Sequence, residues 1–321
     1  VLTRTHFTPL NTDGHNKDEV LISHCVFNKR IKFCGSLEIP SVIKFVNCVF
    51  GKGLDAREAI FSQSVIFENC IFYYFEANDT HTPVIDFHLL QSSGDILFRN
   101  CRILGQLVAT NMHVSGNLSI EGTTIARSPV SKQFSLYNTA NITTDAIEEG
   151  SVNYNLAWEL LQLDNTTIDG NLQLGLLRNA NSSHTKAHLL DLVYTFFADD
   201  PEKQKYYNEK IAAIHLPVTF IYGAVSAIGI HATNNVDFAG LITHSYAYFQ
   251  NSNFGGDVTF RRYENSLENV VGFKSINGNL YFFNCTINGL LDLSNTDVHG
   301  DIELYSCNVN NYLVYKSLIE Q

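Results

Sequence analysis

Apolar and polar residues alternate in a unit of eleven residues that occurs four times near the C-terminal end of the chain, in residues 273–315. The units start at Lys274, Cys285, Thr296 and Cys307, and apolar residues follow two, six and eight positions after each start. Such alternation is typical of β-strands. The position four after the start is glycine in the first three units, at Gly278, Gly289 and Gly300. A glycine between two short apolar pairs predicts a corner where the backbone turns.

The same frame extends backwards over residues 20–125 and 214–315. Further units start at Cys25, Leu37, Cys48, Ala59, Cys70, Leu90, Cys101, Met112, Thr166, Ile214, Val225 and Val236. Six of the seven cysteines occupy the start position, which predicts an inward stack of thiols in preference to disulfides or a metal site. The dipeptide Asn-Cys begins at Asn47, Asn69, Asn100 and Asn284 and predicts one equivalent corner, revisited on successive turns of the chain.

Eleven residues with four inward positions make two short strands and a corner, so two units make a coil of about 22 residues. The pattern therefore predicts a parallel β-helix, a solenoid whose coils stack roughly 4.8 Å apart. A single coil cannot bury its own core, and the two ends of the stack need covers. Only residues 316–321 follow the last unit, so we expect either that the final coil pairs with another chain, as in a homodimer, or that it is covered by chain that this sequence lacks.

Four segments interrupt the repeat, at residues 73–89, 126–163, 183–212 and 261–272. The third has helical spacing of apolar residues and then Asp200-Pro201, a helix-start signal, so we expect a helical hairpin there. The predicted organisation is an N-terminal cap or disordered start (1–19), a first β-helix part with irregular insertions (20–182), the inserted hairpin (183–212) and a second β-helix part continuing the same solenoid (213–321).

Residues 211–237 form a long run without charge until its end, which reaches the length of a membrane span. The repeat continues through this run at Ile214, Val225 and Val236, so buried coils are the favoured interpretation and a membrane span is not. Composition adds that the chain is 45% hydrophobic with a formal charge of −11, which argues against nucleic acid or an anionic membrane as the main partner. The free thiols indicate the cytoplasm or another reducing compartment, with secretion left open.

The steps Asn-Cys-Val-Phe at Asn47, Asn-Cys-Ile-Phe at Asn69, Asn-Cys-Thr-Ile at Asn284 and Ser-Cys-Asn-Val at Ser306 resemble the pentapeptide-repeat proteins. In that family a small residue and a larger apolar residue two positions later point into a square, right-handed β-helix. The resemblance implies a mainly β, right-handed parallel β-helix without catalytic activity, although this chain advances by five and six residues alternately. Some acidic members of the family resemble a DNA duplex and bind DNA-handling enzymes. The pectate-lyase-like proteins are a second β-helix family with stacked asparagines.

Candidate chemistry is sparse. Asp86 and His88 lie two positions apart, so on a strand they would share a face and pair a carboxylate with an imidazole for acid-base work; the alternative is two solvated residues. The second inserted helix is basic and aromatic and predicts a partner-docking face, formed by Lys203, Lys205, Tyr206, Tyr207 and Lys210. His215, His231 and His244 fall at different frame positions, which does not favour a metal site. No cofactor motif occurs, so no cofactor is expected.

Three functions follow as hypotheses. The favoured one is a non-enzymatic β-helix scaffold that binds another macromolecule, a protein in the first instance, through its sides and its helical insertion. The second is a carbohydrate-active or carbohydrate-binding β-helix protein, which would need Asp86, His88, Arg127 and Lys132 to converge on one face. The third is an acidic duplex mimic that binds a DNA-handling enzyme, which would need a continuous negative stripe.

Overall fold

The chain is described by a computed structural model. It covers residues 8–9, 19–33, 38–73, 82–126, 159–175, 201–202, 205, 219–221, 223–243, 245–260, 276, 278–294, 296, 298 and 300–314. These residues form short strands joined by tight turns, and helical conformation occurs among them only at Pro201, Glu202 and Lys205. The prediction of a mainly β protein is confirmed. The rest of the predicted hairpin at 183–212 lies outside the described residues.

Consecutive strands take part in four ladders of paired strands, in the order ladder 1, 2, 3 and 4, and then begin again at ladder 1. One strand from each ladder makes a set that we call a rung. Every described pairing between strands is parallel, except that β1 (Thr8–Pro9) runs antiparallel to β2 (Glu19–Ser23). Long parallel ladders of this kind are compatible with a parallel β-helix.

Ladder 1 contains β2, β6 (Val42–Val46), β10 (Val65–Glu68), β14 (Ile96–Arg99), β18 (Leu118–Glu121), β22 (Leu172–Gly175), β26 (Val236–Asp237) and β30 (Val258–Thr259). Ladder 2 contains β3 (Val26–Phe27), β7 (Val49–Phe50), β11 (Ile71–Tyr73), β15 (Arg102–Leu104), β19 (Thr124–Ala126), β23 (Thr219–Ile221) and β27 (Leu241–Thr243), and single bridges extend it to Ile276 and Val298.

Ladder 3 contains β4 (Ile31–Lys32), β8 (Leu54–Asp55), β12 (Ile85–Asp86), β16 (Leu107–Val108), β20 (Glu159–Gln162), β24 (Ala224–Ile228), β28 (Ala247–Gln250), β31 (Leu280–Phe283) and β33 (Ile302–Tyr305). Ladder 4 contains β5 (Glu38–Ile39), β9 (Ile60–Phe61), β13 (Gln91–Ser92), β17 (His113–Val114), β21 (Thr167–Ile168), β25 (His231–Ala232) and β29 (Asn253–Phe254). The last two strands, β32 (Thr286–Asp292) and β34 (Asn308–Val314), pass from ladder 4 into ladder 1.

Apolar residues of the repeat line the inside of the rungs. Phenylalanines at equivalent positions stack face to face on successive rungs, with centroids 5.2 Å apart for Phe45 and Phe67 and 4.8 Å apart for Phe67 and Phe98. A second column runs beside them, with Phe50 and Phe72 stacked at 4.5 Å. The core is therefore a set of like-on-like columns, and truncation of one such ring to alanine costs about 3–5 kcal/mol in a packed core.

The cysteines fill two columns and not one. Cys25, Cys48, Cys70 and Cys101 stand at the corner between ladders 1 and 2, whereas Cys285 and Cys307 stand at the corner between ladders 3 and 4. The asparagines before them divide in the same way, so the prediction that Asn284 shares one corner with Asn47, Asn69 and Asn100 is wrong. The reason is that an eleven-residue pattern recurs twice in each rung and places equal frame positions at opposite corners.

The same local chemistry occurs at both kinds of corner wherever a cysteine follows an asparagine. The asparagine adopts a left-handed backbone, with φ of 54° at Asn69 and 51° at Asn284, a conformation that asparagine tolerates well. The cysteine that follows points inward, and its thiol donates to two backbone carbonyl groups at the bend. The Cys70 thiol donates to Glu68 and to Phe45 of the preceding rung, at 3.4 and 3.5 Å.

Hydroxyl groups replace the thiol at equivalent corners. The Ser252 hydroxyl donates to Gln250 and to Ala227 of the preceding rung, both at 2.9 Å. Buried carbonyl groups must be paired, and a small side chain with one donor satisfies them without filling the corner. A thiol or a hydroxyl can therefore satisfy these carbonyls, which supports a structural role for the thiols; a donor is not required at every corner, since Ala59 and Met112 are buried at the same position between ladders 3 and 4.

A third corner, between ladders 4 and 1, holds a column of asparagine and aspartate side chains that accept backbone N–H groups from the next rung. Asp95 Oδ1 accepts from the N–H of Asn117 at 2.7 Å, and Asn117 Oδ1 accepts from that of Asn171 at 2.8 Å. The glycine before each of them lies directly over the preceding corner. A Cβ on Gly116 would stand 2.5 Å from Asp95 Oδ1 and 2.6 Å from the carbonyl carbon of Gly94.

The predicted glycine corner is thus confirmed at Gly116. Glycine is required there because the preceding rung lies too close for a side chain, and not because the backbone has a positive φ. We expect Gly116→Ala to lower the free energy of unfolding by about 1–3 kcal/mol, because backbone of the preceding rung cannot move away from the added methyl group. Urea unfolding followed by circular dichroism measures the shift of the midpoint. The matched control is Ser115→Ala on the exposed neighbouring position. Equal midpoints for the two variants would contradict the close-packing explanation.

Burial sets the reactivity of the thiols. Burial raises the pKa of Cys285 to about 11 from its ordinary value of 9.0, and burial and hydrogen bonding also raise the pKa values of Cys48 and Cys70. Cys307, one rung further, is only partly buried. No disulfide bond joins any two of the described cysteines.

We therefore expect iodoacetamide at pH 8 to modify Cys307 well before Cys285, because only a thiolate with access to the reagent reacts. Peptide mass spectrometry after timed quenching measures both sites in one sample. Equal modification rates at the two sites would contradict this expectation.

The raised pKa of Cys285 also makes the stability of the fold depend on pH. The protonated thiol contributes fully to stability below its unfolded pKa of 9.0, and this contribution is lost as pH rises to about 11.

The described part of the uncharged run at 211–237 contains the four strands β23, β24, β25 and β26, joined by short turns. In the described part of the chain, no helix has the length and apolar character needed to cross a membrane.

Candidate partner-binding surface

The long interruptions of the repeat all leave the rungs beside ladder 2. Residues 74–81 and 127–158 connect ladder 2 to ladder 3, after β11 and β19. Residues 176–218 and 261–275 connect ladder 1 to ladder 2, after β22 and β30. The corner between ladders 4 and 1, with its glycines and accepting side chains, carries none. Close packing on that side and insertions on the other give the molecule two chemically different flanks.

Two carboxylates and an arginine form the main charged cluster of the first rungs. Arg57 donates to both oxygens of Asp55, at 2.9 and 2.8 Å, and its Nε lies 3.5 Å from Oδ2 of Asp86. Asp55 is only 2% exposed. Burial alone would raise the pKa of Asp55, but the hydrogen bonds and charge of Arg57 outweigh burial and lower it. The arrangement neutralises buried charge and leaves Asp55 as a structural group.

The predicted pair Asp86 and His88 lies beside this cluster. The strand ends at Asp86, and His88 stands in the following turn, where its backbone N–H donates to Asp86 Oδ1 at 3.1 Å. Its imidazole is directed to the Thr110 hydroxyl, 2.8 Å from Nδ1. The two side chains thus have different partners, because the turn begins one residue earlier than continuous alternation implies.

Other predicted residues fall partly outside the described chain. Lys205 is helical and exposed. The other predicted residues lie outside the described residues, namely Lys203, Tyr206, Tyr207, Lys210, Arg127 and Lys132. His231 is exposed on β25, and His215 and His244 are likewise not described. Among the described residues no cluster of three or more histidine, cysteine, aspartate or glutamate side chains has the geometry to hold a metal ion.

The outer face of ladder 3 carries four aromatic rings near its C-terminal end. We call Tyr248, Tyr281, Phe283 and Tyr305 the aromatic ladder. Centroids are 5.9 Å apart for Tyr248 and Tyr281, 5.8 Å for Tyr281 and Phe283, and 6.0 Å for Phe283 and Tyr305. Tyr305 is 66% exposed and the other three rings are partly exposed. The rings form one continuous apolar strip held by paired strands.

Polar groups fix the orientation of two of these rings. The Tyr248 hydroxyl donates to the side-chain oxygen of Gln250 at 2.8 Å, and the Asn279 amide donates to the Tyr281 hydroxyl. A ring with a fixed hydroxyl and an exposed face loses little conformational entropy when it binds, which is why tyrosine is common at binding surfaces.

The described residues from 223 to 314 include Asp237, Asp257, Asp292, Asp301 and Glu303 but neither lysine nor arginine. The first rungs differ, since Lys44, Glu68, Arg99 and Glu121 alternate in sign across ladder 1, with Lys44 Nζ 2.9 Å from Glu68. Charge is therefore balanced at one end of the described rungs and negative at the other.

Comparison with known proteins found no matching family model, no matching curated protein and no matching solved structure. The surface must therefore be interpreted from its own chemistry.

Sequence reasoning missed the aromatic ladder because it followed the inward positions of the repeat. Part of the signal is present: Phe283 and Tyr305 are 22 positions apart, so a frame of 22 places these two outward rings on one face. Tyr248 and Tyr281 are 33 positions apart, because the segment 261–275 lies between their strands, and the same frame would place them on opposite sides.

We expect Arg57→Leu to lower the free energy of unfolding by about 1–3 kcal/mol at pH 7, because it removes the guanidinium that donates to both oxygens of the buried Asp55 carboxylate. The lowered pKa of Asp55 means that its stabilising contribution exists above the unfolded value of 3.8 and disappears as pH falls through the folded value. The deficit of the variant should accordingly shrink below about pH 4. Urea unfolding across this pH range measures it.

The double variant Asp55→Asn with Arg57→Leu is the control, since it removes the buried charge together with its partner. It should lose less stability at pH 7 than Arg57→Leu alone. A double variant as unstable as the single one at all pH values would show that packing, and not the ion pair, explains the loss.

Proposed function

We propose that this chain is a non-enzymatic β-helix scaffold that binds another protein. The observation that carries the proposal is the exposed aromatic ladder on the outer face of ladder 3. Four neighbouring rings that face solvent in register are a surface of the kind that marks protein interaction sites. Tyrosine in particular brings a large contact area and a hydroxyl at low entropic cost, and is enriched at the energetic centres of interfaces.

The architecture that we propose for the scaffold is a right-handed β-helix with 22 residues per coil and an inserted helical hairpin at 183–212. Pairing of Ile43 with Val65 and of Ile96 with Leu118 supports the coil length, since both pairs are 22 positions apart. Parallel strands joined by crossovers are right-handed in about 98% of proteins, which supports the handedness. The square cross-section of the pentapeptide-repeat proteins agrees with four ladders.

The alternatives receive less support from the described residues. A duplex mimic needs a continuous acidic stripe, but Lys44 and Arg99 alternate with Glu68 and Glu121 along ladder 1. A carbohydrate enzyme needs an acid and a base that act together, but Asp86 and His88 hold separate partners. A carbohydrate-binding role remains the relevant competitor, since aromatic rings also stack on sugars.

We expect the immobilised chain to retain a protein from a lysate of its source cells through the aromatic ladder. Tyr281→Ala with Tyr305→Ala should abolish retention, because the change removes two of the four rings, including the most exposed one, and mass spectrometry quantifies the retained protein. The retained protein is then purified, and its affinity for both forms of the chain is measured by calorimetry.

Two controls sharpen this experiment. Tyr73→Ala removes a partly exposed tyrosine on ladder 2 and should leave binding unchanged. A second variant, Lys203→Gln with Lys205→Gln and Lys210→Gln, tests the contribution of the inserted segment. Retention that is equal in all variants would contradict the proposal, and so would binding of neutral oligosaccharides to the aromatic ladder without any protein partner.

A further inference from the structure

The strands that carry the aromatic ladder also carry an outward carboxylate, that of Glu303. On β28, β31 and β33 the outward residues make two columns. The first column is Tyr248, Tyr281 and Glu303, and the second is Gln250, Phe283 and Tyr305. Glu303 pairs in register with Tyr281 and follows the tyrosine column without interruption. The backbones of Glu303 and Tyr281 are therefore about one strand spacing apart, roughly 4.8 Å, and their side chains leave the same face of the ladder.

This carboxylate is exposed, as is Asp301 at the start of the same strand. Neither forms an ion pair with any described residue. The sequence from 276 to 314 contains Asp292, Asp297, Asp301 and Glu303 and no lysine or arginine. The described strands beside the aromatic ladder therefore carry carboxylates and neither lysine nor arginine.

Aromatic faces and carboxylates share one preferred ligand. The negative face of a tyrosine or phenylalanine ring attracts a cation that lies within about 6 Å of its centroid, and arginine does this best because its flat guanidinium stacks on the ring. The edge of the same guanidinium donates two parallel hydrogen bonds to a carboxylate. A site that offers stacked rings beside Glu303 satisfies both surfaces of one arginine side chain.

From this geometry we propose that the aromatic ladder with Glu303 and Asp301 binds an arginine-bearing segment of the partner protein. The inference rests on the proposed scaffold function and names the chemistry of its partner. The guanidinium stacks on Tyr281 or Tyr305, and its edge pairs with Glu303. The negative net charge of the chain, −11, adds steering of a basic segment toward this end of the described rungs.

The charge of the first rungs explains why the basic segment selects this face. There the carboxylates of Glu68 and Asp55 already have arginine or lysine partners, so a cation from outside would have to displace them. Glu303 needs no such exchange. Selectivity for the C-terminal end of ladder 3 thus follows from which carboxylates are already neutralised.

The test uses three short synthetic peptides of one sequence that carry arginine, lysine or the uncharged arginine isostere citrulline at the same positions. Fluorescence anisotropy at two salt concentrations measures binding to the full chain. We expect the arginine peptide to bind about tenfold more tightly than the citrulline peptide, with the lysine peptide between them. Affinity should fall as salt rises, because exposed charges are screened.

Variants locate the contact. Glu303→Gln with Asp301→Asn and, separately, Tyr305→Ala should each weaken the arginine peptide about tenfold, whereas the exposed control Glu58→Gln should leave it unchanged. Circular dichroism and thermal unfolding verify that each variant is folded. Equal affinity for arginine and citrulline peptides, or equal affinity of the Glu303→Gln, Asp301→Asn variant and the unchanged chain, would overturn the inference.

The outcome separates this inference from the scaffold function. A protein partner whose binding requires Tyr281 and Tyr305 but is indifferent to salt and to Glu303→Gln with Asp301→Asn would leave the scaffold function standing and overturn the arginine contact. Binding of a neutral oligosaccharide in place of both the peptide and any protein would overturn the two together.

Discussion

The structure depends on the requirement that each rung pair in parallel, residue for residue, with the rung before it. Pairing in register brings equivalent corners into contact, so each corner must pass the chain through a tight bend and satisfy carbonyls that no strand reaches. Asparagine in a left-handed conformation makes the bend, and an inward Cys70 or Ser252 donates to the free carbonyls. Gly116 lets two rungs approach, and Asp95 accepts an N–H from the rung above it. The local sequence rules are all consequences of stacking.

Much of the fold was accessible from the sequence because stacking imposes such narrow rules. The inward positions, the glycine corner and the buried thiols follow from the period of eleven and from side-chain size. What the period does not contain is the corner of the rung at which a given unit begins. Asn284 was assigned to the wrong corner for that reason, since residues eleven apart are equally buried and lie on opposite sides. His88 was misplaced because the chain bends one residue after β12 ends.

The candidate surface was not accessible in the same way. Outward side chains are under no stacking constraint, so the sequence gives no reason to prefer Tyr281 over any exposed residue until the strands are arranged. Only their arrangement brings Tyr248, Phe283 and Tyr305 beside it and sets Glu303 at the end of the column. A solenoid in which the core is generic and the exterior is free can change its binding surface without changing its fold.

The half-rung pattern has a consequence for how such a chain can grow. Duplicating 22 residues would add a rung and return each later side chain to its former face. Duplicating eleven would keep every buried position buried, and would turn everything beyond it halfway around the long axis. The hydrophobic core tolerates both events equally. In a molecule of this kind, the direction in which a binding surface faces can therefore change while the buried core stays the same.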